Sequence, residues 1–147
     1  MYRFERTQRV PRPRADVFSF FADAANLEVL SPAFLHFKIL TPLPIAMHAG
    51  ALIDYKIKLY GVSMTWQTLI ETWEPDARFV DTQVSGPYKA WHHEHRFVDV
   101  PGGCEIQDRV DYDVPLGAFG KLGVPIVRRT IDKIFEFRRA EIEKRFS

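Results

Sequence analysis

Cysteine is almost absent from this 147-residue chain: Cys104 stands alone, so no intrachain disulfide can form and a thiolate zinc cluster is excluded. Long apolar runs are missing too, and nothing approaches the ~20 residues that a membrane-spanning helix needs. At the N-terminus, Tyr2, Phe4 and Val10 alternate with charged residues, which leaves no apolar core for a secretory signal. These absences make the reducing cytosol the expected compartment. Nor is there an excess of one charge sign, since 20 Lys and Arg stand against 19 Asp and Glu. A surface built for nonspecific nucleic-acid binding needs a basic excess on one face, so no nucleic-acid partner is expected. One stretch departs from the balance. Residues 121–145 hold eight basic side chains against Asp132, Glu136, Glu141 and Glu143. That pattern reads as the solvated face of a helix, with at most peripheral contact with acidic lipid or a protein partner.

Apolar and aromatic residues are plentiful. The hydrophobic share is 46%, aromatics make up 14%, and there are 12 phenylalanines. A chain of this length fits one domain, taken here as residues 1–147, with a substantial buried core. The aromatic surplus leaves room for an aromatic-lined cavity as well.

The order of elements follows from periodicity. Residues 2–10 read as a strand, stopped by Pro11 and Pro13, and Pro13 is suited to open a helix because its φ is fixed. Val17, Phe18, Phe20, Phe21 and Leu27 continue at helical spacing to about residue 30, with a break near Ala25-Asn26. A short strand around Phe37 and Ile39 ends at Pro42 and Pro44. Next, Ala51, Ile53, Tyr55, Ile57 and Leu59 alternate with charged residues as a half-buried strand does. Further strands are expected at 62–74, containing Trp66, then at 78–85, 89–100 and 104–114, with Pro101-Gly102-Gly103 as a hairpin turn. The closing segment, 124–146, carries Val124, Val127, Ile131, Ile134, Phe135, Arg138 and Ile142 as one helical stripe. The fold class is therefore α+β. A curved antiparallel seven-stranded sheet wraps a long C-terminal helix, and short helices follow the first strand.

Strand alternation also sorts candidate site residues by face. Trp91, His93, His95 and Phe97 share one face of their strand, and His92, Glu94 and Arg96 share the other. The aromatic ends make the first set the concave one. On the last strand Arg109, Asp111 and Asp113 must meet water, so Asp108 and Tyr112 turn inward. On strand 78–85 periodicity leaves open whether Phe79, Asp81 and Gln83 or Val80, Thr82 and Val84 face in.

Several strings in this sequence resemble the START-like superfamily, also called SRPBCC, Bet v 1-like or polyketide cyclase-like. They are Pro13 with Val17-Phe18-Ser19-Phe20-Phe21, Asn26-Leu27, Ser31-Pro32, and Phe79-Val80-Asp81-Thr82-Gln83 with Gly86-Pro87-Tyr88. Trp91 to Phe97 and Asp108-Arg109-Val110-Asp111-Tyr112 complete the likeness, which looks closest to a bacterial ligand-binding subgroup. The resemblance spans essentially the whole chain. It implies a helix-grip fold with a cavity between sheet and last helix, and it favours Asp81 and Gln83 pointing inward. It also implies a hydrophobic small-molecule ligand such as a lipid, quinone or polyketide-like compound. No cofactor is expected.

Expected ligand contacts from the sheet are Tyr55, Trp66, Asp81, Gln83, Trp91, His93, His95, Phe97, Asp108 and Tyr112, and from the last helix Ile131 and Phe135. Buried carboxylates and imidazoles require hydrogen-bond partners, so Asp–His pairs either fix strand register or orient a ligand head, and the two roles are compatible. Three other readings compete. His93, His95 or Asp108 could supply acid–base catalysis for a cyclase- or hydrolase-type enzyme, although no serine or cysteine nucleophile is identifiable beside them. His93 and His95 with Asp108 have the composition of a two-His-one-carboxylate site, yet nothing else supports a metal. The basic helix face could serve a regulatory protein-interaction domain. Gly117, Gly120-Lys121 and Gly123 do not make a phosphate loop: Pro115 occupies the position of the first glycine, and Leu122 stands where Ser or Thr is required. They read as a turn that could gate the cavity.

Overall fold

The computed structural model describes residues 1–116, 120 and 122–147. The expected turn-gate at Gly117 and Lys121 therefore lies partly outside the described residues. Strands β1 (Tyr2–Val10), β2 (Lys38–Ile39), β3 (Leu52–Leu59), β4 (Val62–Glu74), β5 (Arg78–Ser85), β6 (Ala90–Val100) and β7 (Gly103–Asp113) form one antiparallel sheet in the order β1-β7-β6-β5-β4-β3-β2. Between β1 and β2 come α1 (Arg14–Ala22), α2 (Asn26–Val29) and a 3₁₀ turn at Ala33–Leu35; the chain closes on α3 (Val124–Phe146).

Local chemistry explains the joints. Pro13 sits one place before the helix it is suited to open, and its carbonyl accepts from the amides of Asp16 and Val17. The break falls at Asp23–Ala25, where the Asp23 carboxylate accepts from the Ala25 amide. Tyr60 and Gly61 join β3 to β4 with φ of 52° and 79°, the positive pair that a tight hairpin turn requires. Between β6 and β7, Pro101 is followed by Gly102 at φ 84°, the residue order of a type II turn. The hairpin is one residue tighter than expected, because Gly103 already pairs with Val100. Irregularities in β4–β5 pairing at Gln67/Thr68 and Ile70/Thr72 bend the sheet where it must curve.

One face of the sheet is covered in two ways. At one end α1 inserts Val17, Phe18 and Phe21 into a solid aromatic core with Phe79, Phe97 and Ile106. Phe18 meets Phe97 edge-on at 5.2 Å, and Phe21 meets it at 5.4 Å. Across the middle lies α3, which buries Ile131, Phe135, Arg138 and Ile142. It is held at two edges. Arg6 of β1 reaches Asp132 at 3.1 Å and Glu136 at 2.5 Å, and Gln8 donates to the Arg139 carbonyl at 2.9 Å. On the far side Tyr60 bonds the Thr130 hydroxyl at 2.9 Å. Each exposed contact stabilises weakly, roughly 0–1 kcal/mol. Together they fix the helix above the sheet while the aromatic core props one end, and a hollow remains between.

Candidate functional site

That hollow is a cavity of about 150 Å³. Ile53 and Ile57 of β3, Trp66 and Ile70 of β4, and Ile134 and Phe135 of α3 form its apolar walls. Phe21, Leu30 and Leu35 close it from the segment between β1 and β2. Among the described residues no helix is long and apolar enough to cross a membrane.

One wall is polar. His93 and His95 are 4% and 2% exposed, so the inward face of β6 is the one expected. Strand register sets Asp81 opposite His93 and Asp108 opposite His95. The close hydrogen bonds run along the diagonals instead. His93 Nε2 donates to Asp108 Oδ1 at 2.8 Å, and His95 Nε2 donates to Asp81 Oδ2 at 2.5 Å, since an ionised carboxylate can only accept. The crossed pairs stack the two imidazoles at 3.6 Å between ring centres, with Phe79 lying 4.0 Å beyond His95.

Burial and pairing act in opposite directions on these groups. Desolvation pushes Asp108 up, but the His93 hydrogen bond, the His93 charge and the Arg138 charge outweigh it and bring the carboxyl down to about 2. Asp81 is likewise lowered: the His95 bond and nearby positive charge overcome its desolvation. His95 falls to about 4, because burial and the neighbouring His93 outweigh the pull of Asp81 and Asp108. At neutral pH the network therefore holds two carboxylates and a neutral His95. Burial also raises the Tyr55 hydroxyl well above its ordinary range, so the phenol stays protonated.

Of the residues expected to contact a ligand, Tyr55, Trp66, Asp81, Trp91, His93 and His95 border the cavity, as do Ile131 and Phe135. Four do not. Gln83 points to the expected side but is used up in a turn, where it donates to the Tyr88 carbonyl at 2.7 Å and accepts from the Tyr88 amide at 3.1 Å. Phe97 and Tyr112 also face inward, yet both sit in solid packing, 2% and 1% exposed. Asp108 lies behind His93 and borders a separate space of about 20 Å³ between β1 and α3. Alternation identifies a face; it cannot say where along that face the helix stands off.

Arg138 is a site residue that strand alternation could not supply. It borders both spaces, is 9% exposed, and lies 5.5 Å and 5.6 Å over the rings of Phe21 and Phe135. A signal for it exists in the sequence: a cation at the centre of the apolar stripe, between Phe135 and Ile142, cannot face solvent. Asp81, His93 and His95 bring potential metal-ligand atoms within 4.8 Å of one another. Both Nε2 atoms are already committed to carboxylates, and Arg138 adds positive charge beside them. Of the buried atoms in this set His95 Nδ1 is left without a partner, and the set fits an Asp–His hydrogen-bond network better than a divalent cation.

Known proteins share this architecture. Residues 10–137 match the family described as polyketide cyclase / dehydrase and lipid transport. No curated protein matches the chain. TTHA0849 from Thermus thermophilus superposes with a TM-score of 0.79 at 15% identity, covering 99% of this chain and 97% of that one. A START superfamily protein from Mycobacterium smegmatis gives 0.73 at 14% identity, with coverage of 99% and 97%. The di-domain ARO/CYC StfQ of steffimycin biosynthesis gives 0.65 at 14% identity, covering 97% of this chain and 51% of that one. At such identities the structures share the fold alone. The chain belongs to the polyketide cyclase / dehydrase and lipid transport family, and its helix-grip fold is that of the START-like superfamily.

Proposed function

We propose that this family member binds or carries a small hydrophobic molecule in the cavity between the sheet and α3. One observation carries the reading. A space of about 150 Å³ is left open between well-packed ends, with apolar walls and a few polar groups gathered on one side. An engineered apolar cavity of that volume in another protein takes benzene, so the space fits a one-ring compound. A longer lipid, quinone or polyketide-like ligand would extend beyond it or require α3 to move. The near-balance of charge gives no support for a nucleic-acid partner, and the single buried Cys104 suits a reducing compartment such as the cytosol.

The test uses the wall itself. Trp66 and Trp91 border the cavity, so titration with ethylbenzene should change tryptophan fluorescence saturably. Filling the space by Ile57→Phe with Ile70→Phe should remove that response while the fold survives. An unsaturable response, or one that the filled variant keeps, would defeat the proposal. Native mass spectrometry of the purified protein should in addition detect a co-purifying apolar compound.

Acid–base catalysis of cyclase type is a second reading with one observation in its favour. His93 borders the cavity while Asp108 fixes its ring from behind at 2.8 Å. It predicts a substrate whose turnover is lost in a folded His93→Gln variant. A regulatory docking role has less behind it: the only large exposed apolar residue among the described positions of α3 is Ile126, and Arg139 leans back on the Thr7 carbonyl.

A further inference from the structure

Arg138 is the one charged residue among the buried side chains of α3. Its Nε is buried without an acceptor, and the indole N–H of Trp66, on the wall of the same cavity, also lacks one. Native proteins leave few such donors unmatched, because a buried donor without a partner costs about 1–3 kcal/mol and a charged one more. Packing above Phe21 and Phe135 supplies cation–π contact but no acceptor. Of the buried unmatched atoms on this cavity two are therefore donors, and the third, His95 Nδ1, is an acceptor that faces Asp108 at 3.4 Å.

Charge decides which acceptor suits it. Asp81 borders the cavity together with Arg138, and Asp108 shares the smaller space on the other side of Arg138, so two carboxylates already flank one guanidinium. A carboxylate or phosphate ligand would bring a further negative charge beside two carboxylates, where low dielectric magnifies repulsion. A neutral carbonyl oxygen accepts from the same donors and adds no charge.

Resting on the binding role above, we infer that the ligand is a neutral aromatic or alicyclic carbonyl compound whose oxygen accepts from the Arg138 guanidinium. The rest of the ligand lies against the isoleucine and aromatic walls. Anionic amphiphiles of the same size are excluded by Asp81 and Asp108.

Acetophenone, ethylbenzene and benzoate test this as a matched set, titrated into wild-type protein and Arg138→Met at neutral pH. Wild type should bind acetophenone roughly ten- to a hundredfold more tightly than ethylbenzene, as a hydrogen bond to a charged donor implies, and benzoate more weakly than acetophenone. In Arg138→Met the ratio of acetophenone to ethylbenzene affinity should fall to about one. A readout without any variant comes from wild-type NMR: the guanidinium protons of Arg138 should shift with acetophenone and stay put with ethylbenzene. Equal affinity for those two compounds, an advantage that survives Arg138→Met, or unmoved guanidinium resonances would overturn the inference and leave hydrophobic carriage standing. Tightest binding by benzoate would overturn the exclusion of anions, and the inference with it. Failure of all three compounds to bind wild type would remove the binding role on which the inference rests.

Discussion

The imidazole of His95 should make this fold sensitive to mild acid. Sealed between Phe79 and His93, it titrates at about 4 in the folded protein against an ordinary 6.5. Between those values an unfolded chain takes up a proton that the folded chain refuses, so lowering the pH favours unfolding. The stabilisation is fully present above pH 6.5 and is lost progressively down to about pH 4. That gap is worth roughly 3 kcal/mol, about 10 °C in Tm for a domain of this size. Asp108, lowered from 3.8 to about 2, acts in a separate window: its contribution is present above pH 3.8 and is lost as pH falls toward 2. Urea unfolding followed by tryptophan fluorescence at pH 7, 6, 5 and 4 should show the decline in wild type. His95→Gln keeps an amide donor for Asp81 but cannot titrate, and it should flatten the curve over this range. A wild-type stability independent of pH from 6.5 to 4, or an unchanged slope in His95→Gln, would refute the assignment of the loss to this imidazole.

Other substitutions separate support from binding. Phe97→Ala should cost about 3–5 kcal/mol in chemical denaturation, as truncation in a solid core does, without changing ethylbenzene affinity. A matching loss of affinity would put Phe97 on the ligand after all. Gly103→Ala sets a Cβ 2.0 Å from the Val10 carbonyl oxygen, so β1 must shift; a loss of about 1–3 kcal/mol with faster amide exchange in β1 is expected. Gly61→Ala meets no neighbour and should cost only about 1 kcal/mol of backbone strain, read by the same denaturation. Gln83→Ala removes both bonds to the Tyr88 backbone and should destabilise by roughly 1–3 kcal/mol. It should also alter the emission of Trp91, whose ring lies 4.7 Å from Tyr88.

Much of this is legible in the sequence because β-strands declare their faces. Alternation puts Trp91, His93 and His95 on the inner side of β6, and the charged set on β7 turns Asp108 inward. The α3 stripe appears with the correct members. Three things stay hidden for physical reasons. Whether an inward residue meets a void or a neighbour depends on the height of α3, which Tyr60–Thr130 and Arg6–Glu136 set across long stretches of sequence. Phe97 and Tyr112 therefore look the same as Trp91. The walls from Phe21, Leu30 and Leu35 come from an irregular segment with no period to read. Val80, buried at 3% on the opposite face of β5 from Asp81, explains why that strand gives no clear alternation. Arg138 is visible in the stripe, but only the cavity beside it distinguishes its role from that of its apolar neighbours.

The pairing of β1 with β7 has a consequence for how the protein is made. Tyr2 lies across from Tyr112 and Val10 across from Cys104, so β1 waits for about 90 to 110 further residues to be synthesised before its partner strand exists. During that interval Phe4 and Val10 are uncovered on an open strand edge, an invitation to pair with another nascent chain. The charges that intersperse them, Arg3, Glu5, Arg6 and Arg9, then act as guards during the wait, before their later partners Asp111, Arg109, Asp132 and Glu105 have been made.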